Sequence, residues 1–142
     1  MKSKIYKFNP VIYPFPLLVT KDFDKEEIKA RYNAMSSNGE EVDISESLEA
    51  SEDTTARVVN IANKESGSMG YLVLLYRPND TGAGILGHEA LHIANAYLQY
   101  LGFSKANAYD DEPYAYFVQW LINCMWSVLI DEPDKMNGVL IQ

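Results

Sequence analysis

Gly87-His88-Glu89-Ala90-Leu91-His92 holds both histidines of the chain, four residues apart around a glutamate. The segment reads as helix, and four helical residues advance about 6 Å and 400°, so His88 and His92 project from one face, one turn apart. Two imidazoles so placed can reach one Zn²⁺ at about 2.0–2.1 Å. Glu89 lies beside that point, where it can take a proton from a metal-activated water. This His-Glu-x-x-His pattern points to a zinc-dependent hydrolase. Such a triplet also arises by chance on ordinary amphipathic helices. Its surroundings decide between the two.

Those surroundings define a bounded helix. Arg77-Pro78-Asn79-Asp80-Thr81 is a turn cluster in which Asp80 or Thr81 can cap the next turn. Apolar residues follow at Ile85, Leu86, Leu91, Ile93, Ala94, Tyr97, Leu98 and Leu101, and Gly102 is a C-terminal stop. His88, His92, Asn95 and Gln99 form a polar line along this greasy helix. A second helix is expected from Tyr109-Asp110-Asp111-Glu112-Pro113 to Ile130, capped by Asp110 or Asp111. Phe117, Val118, Leu121, Ile122, Met125, Trp126, Val128 and Leu129 cover most of its circumference, which predicts deep burial. Glu112, Tyr116, Gln119 and Asn123 share its polar face. Two antiparallel helices with facing polar lines bring Glu112 towards His88 and His92. A buried carboxylate needs a partner or a metal, so Glu112 is the expected third ligand.

Nineteen residues lie between His92 and Glu112. The resulting HExxH-x19-E pattern resembles the gluzincin metallopeptidases, the clan of thermolysin and the zinc aminopeptidases. Asp111-Glu112 followed by Ala115 resembles that clan's Asn-Glu-x-x-Ala motif. The resemblance spans about thirty residues, His88 to Tyr116. It implies a Zn²⁺ cofactor held by His88, His92 and Glu112, with Glu89 as general base and a peptide or protein as substrate. Two departures stand out. The position one turn beyond Glu112, where thermolysin-like enzymes carry a histidine-orienting Asp, is Tyr116. A partner for the histidines would then come from Asn95, Gln119 or a backbone carbonyl. There is also no third histidine to serve as electrophile, which leaves Tyr109, Tyr114 and Tyr116 as the nearest candidates, with Tyr116 carried as the catalytic one.

The first half reads as strands around one helix. Leu17-Leu18-Val19-Thr20 is a short strand behind an arm kept extended by Pro10, Pro14 and Pro16. Asp24-Lys25-Glu26-Glu27 resembles a capping box that opens a helix to about Met35. Arg57–Ala62 and Gly70–Tyr76 are strand-like, joined by a hairpin loop at Lys64-Glu65-Ser66-Gly67-Ser68. The expected fold class is α+β: a minimal zincin-like domain over 1–142, a small mixed sheet backed by the HExxH and Glu helices. In size and order it is also similar to compact zincin-like proteins of bacteria and their phages.

Composition sets the outer bounds. The chain has 142 residues, 47% of them hydrophobic, enough for one domain with a real core. A net charge of −8 argues against nucleic-acid binding through a basic field. Between Asn33 and Ala56 there is no Lys, Arg or His, while Glu40, Glu41, Asp43, Glu46, Glu49, Glu52 and Asp53 accumulate. Residues 33–56 are therefore expected to be a solvated acidic loop or a partly disordered insertion. The functional alternative is a flap that selects basic substrates or masks the site. No apolar run reaches twenty residues, and Asn9-Pro10 interrupts the basic start, so neither a membrane span nor a secretory signal is expected. Cys124 is the sole cysteine, which excludes an internal disulfide and fits a cytoplasmic protein. Two readings stand beside the peptidase: a catalytically silent zincin-like metal-binding regulator, and a phage-related structural protein in which His88, His92 and Glu112 only hydrogen-bond. Metal content and turnover separate the three.

Overall fold

Every residue from Gly70 to Leu75 is buried, because this strand runs through the sheet with both faces covered. The computed structural model describes residues 2–102 and 112–141. Among them seven strands form one mixed sheet: β1 (Lys4–Phe8), β2 (Leu17–Asp22), β3 (Tyr32–Met35), β4 (Glu41–Val42), β5 (Ala56–Asn63), β6 (Met69–Leu75) and β7 (Val139–Ile141). Their spatial order is β4-β3-β5-β6-β2-β1-β7. Only the β2–β6 pair is parallel. Three α-helices accompany the sheet: α1 (Lys25–Arg31), α2 (Ala83–Tyr100) and α3 (Glu112–Leu129). The fold class is thus α+β with a mixed sheet.

Side chains alternate across a strand, so each strand feeds two cores. On one face Phe8, Leu17, Val19, Tyr71, Val73 and Leu75 pack against α2 and α3. On the other, Ile5, Leu18, Leu72, Leu74, Val59 and Ile61 meet Ile28 of α1 together with Ile44 and Leu48. Burying each such leucine or isoleucine is worth about 1.5–3 kcal/mol before the entropy cost of ordering it. The β5–β6 hairpin forms where its loop chemistry predicts: Asn63 Oδ1 accepts from the amides of Glu65 and Ser66 at 2.9 and 3.0 Å.

Several expectations need correction. The helix opened by Asp24, whose side chain does accept from Glu26 N at 2.8 Å, ends at Arg31 rather than Met35. Tyr32–Met35 becomes β3 because pairing with β5 puts Tyr32 and Ala34 into the second core, a gain no local helix offers. The 33–56 segment presents an acidic solvated surface, and it also carries β4 and a 3-10 turn at Glu46–Leu48. All seven of its acids are exposed, yet Ile44 and Leu48 are buried at 2% and 0% exposure, which anchors the segment to the sheet. Helix α3 is not buried all round: Trp126 is 49% exposed, while Leu121, Cys124, Met125 and Val128 make the buried face. The strands at the two termini, β1 and β7, carry too little alternation to be read in advance. Gly138 allows their approach, since a Cβ there would lie 2.6 Å from the Phe8 ring.

Other expectations hold. Helix α2 ends at Tyr100, and Gly102 takes the left-handed conformation (φ 78°) that a stop requires. Cys124 is a buried free thiol whose pKa burial pushes up, so it is inert packing. No described helix is long and apolar enough to cross a membrane. The expected cap of α3 at Asp110 or Asp111, and Tyr109, lie outside the described residues.

Candidate functional site

Helix α2 starts without a side-chain cap. Gly82 occupies the N-cap position, Thr81 instead donates its hydroxyl to the Arg77 carbonyl at 2.8 Å, and Asp80 ends a short 3-10 turn. With glycines at 84 and 87 in its first turns, this helix draws its stability from packing rather than propensity. Leu86, Ala90, Ile93, Ala94 and Tyr97 form its buried stripe. The Tyr97 hydroxyl donates to the Phe15 carbonyl, and its ring lies 4.7 Å from that of Tyr71 and 5.1 Å from that of Phe117. These contacts fix the rotation of α2 about its axis, and that rotation aims the opposite side.

The histidine pair is on that opposite side. His88 and His92 are both exposed, with their Nε2 atoms 3.1 Å apart and their rings at 79°. Two nitrogens of a tetrahedral zinc, each at about 2.0–2.1 Å, would stand about 3.3–3.4 Å apart. The observed separation is that of a hydrogen bond between the rings and is close to this spacing. Glu89, between them, is only 7% exposed. Burial pushes its pKa up, and the charges of His88, His92 and Arg57 oppose that shift. Among the described residues nothing hydrogen-bonds its carboxylate, which faces a cleft of about 320 Å³ lined by Ala56, Arg57, Val58, Asn60, Glu89 and His92.

The far wall of this cleft is β5. Strand β3 pairs with β5 only at Ile61, Ala62 and Asn63, so among the described residues no strand covers that edge of Ala56–Asn60. Arg57 stands at this edge. Its Nη1 donates to the carbonyls of Ser47 and Glu49 at 2.7 and 2.6 Å, which pins the acidic segment beside the cleft. Sequence reading passed over Arg57 and Asn60. Their only signal is that they are polar positions in an otherwise apolar strand, and which core or cleft they face depends on the sheet.

Among the described residues no hydrogen bond joins the remaining site candidates to the pair. Glu112 is exposed in the first turn of α3, and among the described residues no group of three or more His, Cys, Asp or Glu is spaced to hold a metal ion. A carboxylate stays hydrated unless burial is compensated, and at that helix end water does so. Tyr116 is 65% exposed and lines a separate groove with Ile12, Tyr13, Pro113 and Trp120. Asn95 accepts from the Tyr114 hydroxyl at 2.9 Å, a contact between α2 and α3. Gln99 lines a second cavity beside α2, while Gln119 and Asn123 are exposed on α3. Among the described residues the polar line of α2 meets α3 through Tyr114, and Gln119 and Asn123 face solvent instead of a shared interface.

No protein-family model, curated protein or solved structure matches this chain. The chemistry has to be argued from the cleft itself.

Proposed function

We propose that this chain is a zinc-dependent peptidase of zincin-like type, with His88 and His92 as metal ligands and Glu89 as general base. The observation that carries the reading is the 3.1 Å separation of the two Nε2 atoms above a buried glutamate that opens to a cleft. When bound, zinc supplies Lewis acidity, which polarises a carbonyl and acidifies water. Glu89 takes the proton of the attacking water and passes it to the departing amine. Ala56–Asn60 offers free main-chain donors and acceptors to an extended peptide, as strand addition requires. Glu112, exposed in the first turn of α3, is the proposed third ligand.

The test combines metal content with turnover. The parent and Glu89→Gln are expected to hold one zinc per chain, and His92→Ala none. On a peptide library Glu89→Gln should lose about 10²–10⁴ of the parent's rate. A zinc-free parent would overturn the metal reading, and parental rates in Glu89→Gln would remove Glu89 from the chemistry. A second reading, a metal-binding regulator without turnover, is favoured by the position of Tyr116 away from the cleft. It predicts full zinc occupancy with no cleavage.

A further inference from the structure

A cavity of about 590 Å³ lies beside α2 one to two turns beyond His92. Asn60 lines both this cavity and the cleft at Glu89 and His92, and α2 walls both. His92, Ala96 and Gln99 follow one another at i, i+4 and i+7, so a single helix face runs from the histidines into the cavity. The two spaces adjoin at Asn60 along α2, one carrying the ionisable groups and the other more apolar. The volume is within the range that holds ligands.

The more apolar space is built for a side chain. Phe15, Met35, Met69, Tyr71 and Tyr100 line it. The Phe15 ring already packs edge-on against Tyr71 at 6.1 Å and Tyr100 at 4.6 Å, so these walls are held in place before anything binds. The two methionines supply flexible thioethers that adapt to irregular shapes and favour aromatic rings. From His92 to Gln99 the helix rises about 10 Å. An extended peptide covers that distance in about three residues.

We propose that this cavity is a subsite for a large apolar or aromatic side chain of the bound peptide, about three residues from the bond held at His88, Glu89 and His92. The inference rests on the peptidase reading for its register, and on the lining of the cavity for its chemistry.

The probes are acetylated, amidated hexaalanine peptides carrying one phenylalanine at each position in turn, with all-alanine hexapeptide as reference. Amide chemical shifts of Gly39 and Gly70, which line the cavity, report binding. Mass spectrometry reports the bond cut by the zinc-loaded parent. The expected result is that phenylalanine tightens binding about tenfold over alanine, the low end of what burying one aromatic side chain yields. Both glycine amides should shift, and the cut bond should lie about three residues from the phenylalanine. The phenylalanine-to-alanine ratio should fall towards one in Tyr100→Ala, which removes an exposed wall, and in Ala96→Leu, which narrows the passage. Thermal melts confirm that each variant is folded. Equal binding of all the peptides, a preference that both variants keep, or cleavage next to the phenylalanine would overturn the subsite. Phenylalanine-dependent binding without cleavage would sustain the subsite and overturn hydrolysis. Cleavage without any preference would do the reverse.

Discussion

Helices α2 and α3 are each eighteen residues long and pack on the same face of the sheet, yet they bring their chemistry to the cleft very differently. On α2 the two imidazoles are neighbours because of helical pitch alone, and their meeting at 3.1 Å needs no other part of the chain. On α3 Glu112 sits in the first turn, and its approach to the histidines depends on how two helices are offset and rotated. The first arrangement is local and rigid. The second is long-range, and one helical turn of offset moves a side chain by about 5.4 Å. A ligand set divided in this way should show unequal dependence on its members.

The largest expected effect tests that inequality. His92→Ala should abolish zinc binding, whereas Glu112→Gln should weaken it by a smaller factor, about tenfold or about 1.4 kcal/mol. Competition against a zinc-chelating dye measures both. Parental affinity in Glu112→Gln would confine the metal site to α2 and break the two-helix ligand set.

Packing should depend on both helices alike. Leu86→Ala on α2 and Leu121→Ala on α3 each empty a fully buried position and should cost about 2–5 kcal/mol in urea unfolding. A loss under about 1 kcal/mol at Leu121 would mean that α3 is loosely docked. Next in size, Tyr97→Phe should cost about 1–3 kcal/mol, because it leaves the Phe15 carbonyl without its donor. It should also loosen the rotation of α2, seen as a wider spread of the His88 and His92 ring signals.

The smallest effect concerns the Tyr114–Asn95 bond, which joins the helices. A double-mutant cycle on Tyr114→Phe and Asn95→Ala should give a coupling of about 0.5–1 kcal/mol, since Asn95 is exposed and water competes for both groups. Coupling near zero would remove this bond as a link between the helices. A value above about 2 kcal/mol would mean that the bond is shielded and orients α3 strongly.

The accuracy of sequence reading tracked the range of the interactions involved. Helix α2, its stop at Gly102, the capping of α1 by Asp24 and the β5–β6 hairpin all rest on contacts within a few residues, and all were legible. Residues 32–35 were misread because local pattern favoured more helix, while pairing with β5 and burial of Tyr32 and Ala34 favoured strand. The anchoring of the acidic segment was not legible for a related reason. Its charges dominate the composition, but two side chains, Ile44 and Leu48, hold it in place. Strands β1 and β7 join across nearly the whole chain, so no window of sequence contains their pairing.

By itself, then, the order of residues determined that two histidines and a glutamate share one helical turn, since pitch and spacing suffice for that. It also determined that α2 would bury the stripe from Leu86 to Tyr97, because the apolar period matches the helix. Only the tertiary structure decided that Glu89 is buried while its neighbours are exposed, that β5 leaves an edge open beside it, and that Arg57 and Asn60 complete the cleft. The same holds for the apolar cavity beyond His92, whose walls come from β3, β6, α2 and the Phe15 arm. These features depend on which face of one element meets which face of another. That choice is made by the summed burial of many side chains distant in sequence, and no short motif encodes it.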